Sequence, residues 1–147
     1  MTDLFTSFEL SASGLAAQRV RMNAVSSNLA NANTTRTAEG GPYKRIDPIF
    51  AAESMPQAFG SLLDVALGRE MQAVRVVGIA RDQRPPRVVH DPKHPDADSR
   101  GYVSLPNVNV VEEMVNMITA SRSYEANLLA MQTAKGMAQK ALTLIGK

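Results

Sequence analysis

A chain of 147 residues with 44% apolar and 20% charged residues has the make-up of one folded domain. Its net charge of +2 and its lack of long like-charge blocks give no case for nucleic-acid binding. Cysteine is absent, which excludes disulfides, a thiol nucleophile and Cys-based metal sites.

The core materials point away from a compact enzyme. There is no Trp, aromatics make up 5%, and eight Met are present. Aromatic rings usually supply much of a core's contact area. Met and Ala instead suit long helix seams that fit several slightly different neighbours. The N-terminus, Met1 to Glu9, has neither a basic start nor an unbroken apolar run, so no cleaved secretory signal is expected. Direct membrane insertion is not expected either, because no segment approaches roughly 18 apolar residues.

Charge divides the chain in three. Residues 1–35 carry four charged side chains, residues 36–105 carry 19, and residues 106–147 carry seven. The expected fold is mainly α with a small β element. Long N- and C-terminal helices pair as a coiled coil, and a short hairpin and loop segment lies between them.

In the first segment, Leu4, Phe8, Leu15, Met22, Val25, Leu29 and Ala32 follow a heptad, with Phe8, Leu15, Met22 and Leu29 seven apart. Thr2 and Asp3 suit a helix start. The helix is expected to run to about Asn31, before Thr34, Thr35, Thr37, Gly40 and Gly41 break it. Residues 23–35 carry no charge at all. A solvated helix normally shows Lys and Glu on its outer face. A face of Ala, Ser and Asn, including Asn28 and Asn31, is cheap to desolvate and is expected to be buried against other subunits.

The middle segment reads as short strands and loops. Tyr43–Asp47 is a possible strand cut off by Pro48. Residues 72–81 are the best strand, with residues 87–90 returning as its hairpin partner. Ser61–Arg69 is ambiguous between helix and loop, and Gly101–Leu105 forms a last short strand.

In the final segment, Asn109 followed by Glu112 resembles a capping box. Val110, Met114, Met117, Tyr124, Leu128, Met131, Ala138, Leu142 and Ile145 then keep a 3–4 alternation, interrupted by Ser121 and Lys135. Gly146 and Lys147 suit a helix end.

No chemistry survives inspection. His90, His94, Asp91, Asp96 and Asp98 suggest a metal cluster, but Pro92 and Pro95 forbid the helix that i, i+4 ligation needs, so a structured polar turn is expected. Glu112 and Glu113 lie on different helix faces and better suit a helix N-terminus than an acid/base pair. The basic residues Arg69, Arg75, Arg81, Arg84, Arg87 and Lys93 are interleaved with acids and lack stacking aromatics. Neither a cofactor nor a catalytic constellation is expected.

Several long blocks resemble one family. Ser11-Ala12-Ser13-Gly14-Leu15, then Asn28 through Thr35 and Gly40-Gly41-Pro42-Tyr43, look like the N-terminal signature of bacterial flagellar basal-body rod proteins. The blocks Asp91–Asp98, Gly101-Tyr102-Val103, Pro106–Val110, Glu113–Met117 and Ala120–Asn127 agree with it, and the wording is most similar to proximal-rod members. The resemblance implies a structural subunit exported by the flagellar type III apparatus. It also implies helical assembly with copies of itself, with other rod proteins and with a rod adaptor, and terminal segments that order as a coiled coil on assembly. Residues 51–72 do not match the family pattern. Within that family reading, Leu15→Asp or Leu128→Asp is expected to abolish rod assembly by placing a charge in the seam. Two other readings compete: a different rod- or hook-type axial subunit, and a soluble helical adaptor or chaperone of axial proteins.

Overall fold

The computed structural model describes residues 2–54 and 71–145, with side chains from 6 onward in the first helix and up to 143 in the last. The side chains of Leu4 and Ile145, Ser61–Arg69 and the Gly146–Lys147 terminus lie outside the described residues. Among the described residues two helices and four strands follow in the order α1 (Thr2–Ala30), β1 (Ile46–Ser54), β2 (Gln72–Arg81), β3 (Arg87–His90), β4 (Tyr102–Leu105) and α2 (Val110–Ile145). The fold is mainly helical with a small β element. Neither helix is long and apolar enough to cross a membrane.

Asn109 caps α2 through its side chain. Its Oδ1 accepts from the Val111 and Glu112 amides at 3.1 and 3.4 Å, which satisfies two of the donors a helix start leaves unpaired. At the other end of α1, the Thr34 amide donates to Asn31 O and the Tyr43 amide returns to Thr34 O. The chain thereby turns back beneath its own helix.

The strands pair differently from the sequence expectation. β2 does not pair with β3. β1 and β2 form one antiparallel ribbon, and β3 and β4 form a second. The first strand also runs through Pro48, which sits opposite Ile79, and a bulge follows between Ile49 and Phe50. Pro48 is tolerated because, among the described residues, β1 has one neighbour, so one edge of the strand needs no amide donor. The Pro85-Pro86 pair ends β2's influence before β3 begins, since neither proline donates to a ladder.

The loop from Asp91 to Gly101 is closed by its own backbone. Asp91 N donates to Gly101 O and Gly101 N donates to Asp98 O, while Asp98 Oδ1 accepts from Arg100 N and Tyr102 N. His94 Nδ1 accepts from the Asp96 amide, and Asp96 in turn accepts from Thr35 Oγ1 at 2.7 Å. This docks the loop against the end of α1. Gly101 holds φ +78°, and a Cβ there would lie 3.0 Å from Pro92 Cγ and 3.2 Å from His90 Nε2. Gly101→Ala is therefore expected to cost about 1–3 kcal/mol. Faster limited proteolysis between residues 91 and 101 is the readout, and an unchanged cleavage rate would refute the strain.

The helices lie antiparallel. Asn28 of α1 meets Glu113 near the start of α2. Two heptads further along both helices, Gly14 of α1 lies under Asn127. The buried apolar residues along this pair are almost all alanine: Ala17 and Ala24 from α1, Ala32 from the turn just after it, Ala120 and Ala134 from α2, with Val25 the largest. Small side chains let the two backbones approach closely, which is how a chain poor in aromatics still builds a seam.

Candidate assembly interface

Behind the seam lies a buried polar cluster. Asn28 has no exposed surface and Glu113 is 1% exposed. The Asn28 amide group donates to Ile46 O at 2.8 Å and to Glu113 Oε2 at 2.9 Å. Its Oδ1 accepts from Ile46 N at 2.9 Å and from Tyr43 Oη at 3.0 Å. Every hydrogen-bonding capacity of the side chain is used. Glu113 Oε1 accepts from Arg45 Nε at 2.8 Å, and Arg45 reaches Asp47 at 3.1 Å through its other arm. Burial works against the charge on Arg45, but hydrogen bonds to Glu113 and Asp47 outweigh it and raise the guanidinium above its ordinary range.

This cluster ties three segments together: α1 through Asn28, the chain entering β1 through Tyr43, Arg45 and Ile46, and α2 through Glu113. The Asp82 amide donates to Arg45 O, so the end of β2 is held as well. Sequence reading missed Arg45 and Glu113 as a pair, because residues 68 positions apart share no local pattern. A sequence signal did exist: two adjacent acids in the first turn of a charge-poor helix, and a run of asparagines on a charge-free stretch.

The residues expected to form the interface separate into two sets. Phe8, Leu15, Met22, Leu29 and Asn31 are half-buried, while Val25 and Asn28 are fully buried within the chain. On α2, Met117, Tyr124 and Met131 are half-buried and fall in step with Glu113, Ala120, Asn127 and Ala134 along the seam. Met114, Leu128 and Leu142 point outward, at 53%, 38% and 66% exposed. They share the outer surface of α2 with Val111, Val115, Ile118 and Leu129, none of them less than half exposed. On α1 the exposed positions Glu9, Ala12, Ala16, Arg19, Asn23, Ser26 and Ala30, with Asn33 just past the helix end, also recur at alternating steps of three and four. The charge-free face of residues 23–35 is thus divided. Ala24, Val25, Asn28 and Ala32 serve the chain's own interior, and Asn23, Ser26, Ala30 and Asn33 face outward.

A groove of about 350 Å³ opens between α1, the β1–β2 ribbon and α2, lined by Gly14, Ala17, Gln18, Phe50, Val74 and Asn127 among others. The buried Gln18 Oε1 has no hydrogen-bond partner there among the described residues. Among the described residues no group of three or more His, Asp or Glu side chains is arranged to hold a metal ion. The arrangement positions helices and strands and exposes apolar surface; it brings no nucleophile, acid and base together.

A long antiparallel helix pair that exposes large apolar side chains on its outer surface is the design of a subunit in a larger structure. Residues 8–36 match the family described as flagella basal body rod protein, and residues 99–144 match the flagellar basal body rod FlgEFG protein C-terminal family. Over 97% of its length the chain is 45% identical to the flagellar basal-body rod protein FlgC of Borreliella burgdorferi, covering 97% of that protein. It is equally identical to the FlgC of Bacillus subtilis, covering 98% of it, and 40% identical to that of Salmonella typhimurium over 96% of this chain. The chain belongs to the FlgC family of flagellar basal-body rod proteins, and it is a structural component of the rod and not an enzyme.

Proposed function

We propose that the chain is a proximal-rod subunit that leaves the cell interior through the flagellar type III apparatus and assembles helically to transmit torque across the periplasm. Residues 1–35 and 106–147 form the assembling core as a coiled coil, and residues 36–105 form an arm on it. Its partners are copies of itself, the neighbouring rod proteins, and the export apparatus with its rod adaptor.

The observation that carries this reading is the outer surface of α2. Val111, Val115, Ile118 and Leu129 are 70%, 58%, 53% and 64% exposed. Burying each such side chain contributes about 1.5–3 kcal/mol. A monomer gains none of this, whereas a subunit packed among neighbours gains most of it, so folding of the helix pair and assembly are coupled. The outward face of α1, built mostly from Ala, Asn and Ser with Glu9 and Arg19 as charges, offers the close approach that such side chains require. Two different faces in contact give a heterologous interface, which propagates along an axis instead of closing into a dimer.

The test is cryo-tomography of motors in a strain lacking this gene. The expected result is a membrane ring and export apparatus without a rod. Complete rods and hooks in that strain would overturn the assignment to an essential rod segment.

A further inference from the structure

We propose that the Asn28–Glu113–Arg45 cluster is a register key, selecting one axial alignment of α1 against α2 and seating the β1–β2 ribbon at that alignment. The inference concerns contacts within one chain, so it does not depend on how the outer faces meet neighbouring subunits.

The apolar seam discriminates registers poorly. Its buried residues are small and recur at heptad spacing: Ala17 and Ala24 on one helix, Ala120 and Ala134 on the other. A slip of seven residues exchanges Met117, Tyr124, Met131 and Ala138 for one another and sets Asn127 or Ala141 where an alanine stood, so that, apart from Glu113, no charge enters the seam. Gly14 accepts either Ala120 or Ala134 in place of Asn127, since each is smaller than the amide it now covers.

The cluster tolerates no such slip. Moving α2 one heptad in one direction sets Asn28 against Ala120, so the Asn28 amide loses its Glu113 acceptor and the Glu113 carboxylate loses both Asn28 and Arg45. In the other direction Glu113 comes level with Arg21, but Asn28 then faces residues ahead of α2. Arg45 cannot follow either move. Its neighbour Ile46 is held by Asn28 at both N and O, and its own carbonyl is held by the Asp82 amide. A single polar contact that fixes helix alignment is the best attested use of a buried polar group.

The absence of cysteine makes the test clean. Three double variants report three alignments: Gly14→Cys with Asn127→Cys for the observed register, and Gly14→Cys with Ala120→Cys or with Ala134→Cys for the slipped ones. A Cβ on Gly14 would lie 3.1 Å from Asn127 Cγ, the position a sulfur would take. The full-length chain is produced in cells, oxidised, and its intramolecular disulfides are quantified by peptide mass spectrometry whether or not it enters basal bodies. With the cluster intact, the 14–127 disulfide is expected to exceed each slipped one by at least about tenfold. In the apolar triple variant Asn28→Ala, Arg45→Met, Glu113→Leu, a slipped disulfide should rise to the same level as 14–127. The milder Glu113→Gln, which keeps the side-chain volume, should raise it several-fold. If both backgrounds still give 14–127 alone, the seam sets the register and the proposal fails. Loss of all three disulfides in both backgrounds also overturns it, because the cluster would then be required for pairing rather than selecting among alignments.

Discussion

Replacing Arg45 by Met is expected to destabilise the folded chain by about 3–5 kcal/mol, and to do so more than replacing Glu113 by Leu. Removing one partner of a buried ion pair leaves the other charge uncompensated in a place water does not reach. The Glu113 side chain is 1% exposed, whereas that of Arg45 is 19% exposed and keeps Asp47 at 3.1 Å. An orphaned carboxylate therefore stays buried, with only the Asn28 amide to solvate it, while an orphaned guanidinium turns to Asp47 and to solvent. Removing both charges, Arg45→Met with Glu113→Leu, should be less harmful than Arg45→Met alone, since the apolar replacements fill the space without a charge to satisfy. Urea resistance of isolated basal bodies carrying each variant, with swimming in soft agar as the cellular readout, measures the order. Equal losses for Arg45→Met and Glu113→Leu would show that burial of the carboxylate does not dominate.

Charges placed on the outside of α2 should act on assembly and leave the chain's own fold intact. Val115→Asp combined with Leu129→Asp changes two side chains that are 58% and 64% exposed. Neither contributes to the seam with α1, so the helical content and protease resistance of the purified chain are expected to match those of the parent. In a packed rod the same two aspartates are forced into an apolar contact, and each unpaired charge costs several kcal/mol. Rods should then be absent and swimming lost, whereas Lys93→Asp, on the exposed loop, should swim normally. Normal rods in the doubly charged variant would remove the outer surface of α2 from the interface. Leu128→Asp belongs to the same class, because Leu128 is itself 38% exposed. Leu15→Asp does not: Leu15 is half-buried within the chain, so that change damages the fold as well as any contact between subunits.

The two helices of the fold were legible because their signals are local. A cap at Asn109, a breaker run after Asn31 and a sparse supply of charge at both ends each depend on a few neighbouring residues. Residues 72–81 were legible as a strand for the same reason, with the β-branched Val74, Val76, Val77 and Ile79 gathered around Arg75. Strand partners were not. Residues 87–90 lie next to β2 in sequence, and adjacency favoured a hairpin, but the two prolines at 85 and 86 separate the ribbons. β2 instead pairs back across residues 55–70 to β1. The proline at 48 misled because a proline ends a central strand, and nothing local says that β1 has a free edge.

The inward face of α2 was legible only in half. Met114, Ser121, Leu128, Lys135 and Leu142 form one heptad row, and Met117, Tyr124, Met131 and Ala138 form the row beside it. Both rows are largely apolar, so periodicity cannot say which one meets α1. The buried alanines and Gly14 decide it, since they let the helices approach closely along the second row. By itself, the amino-acid sequence determined that this chain makes long terminal helices without catalytic chemistry, and its ordered blocks placed it among rod proteins. Only the tertiary structure decided that Asn28, Arg45 and Glu113 share one buried site, because the hydrogen bonds that satisfy them join segments 18 and 85 residues apart. Spacing along the chain carries information about neighbours on one helix; it carries none about which distant charge will be left to fill a buried gap.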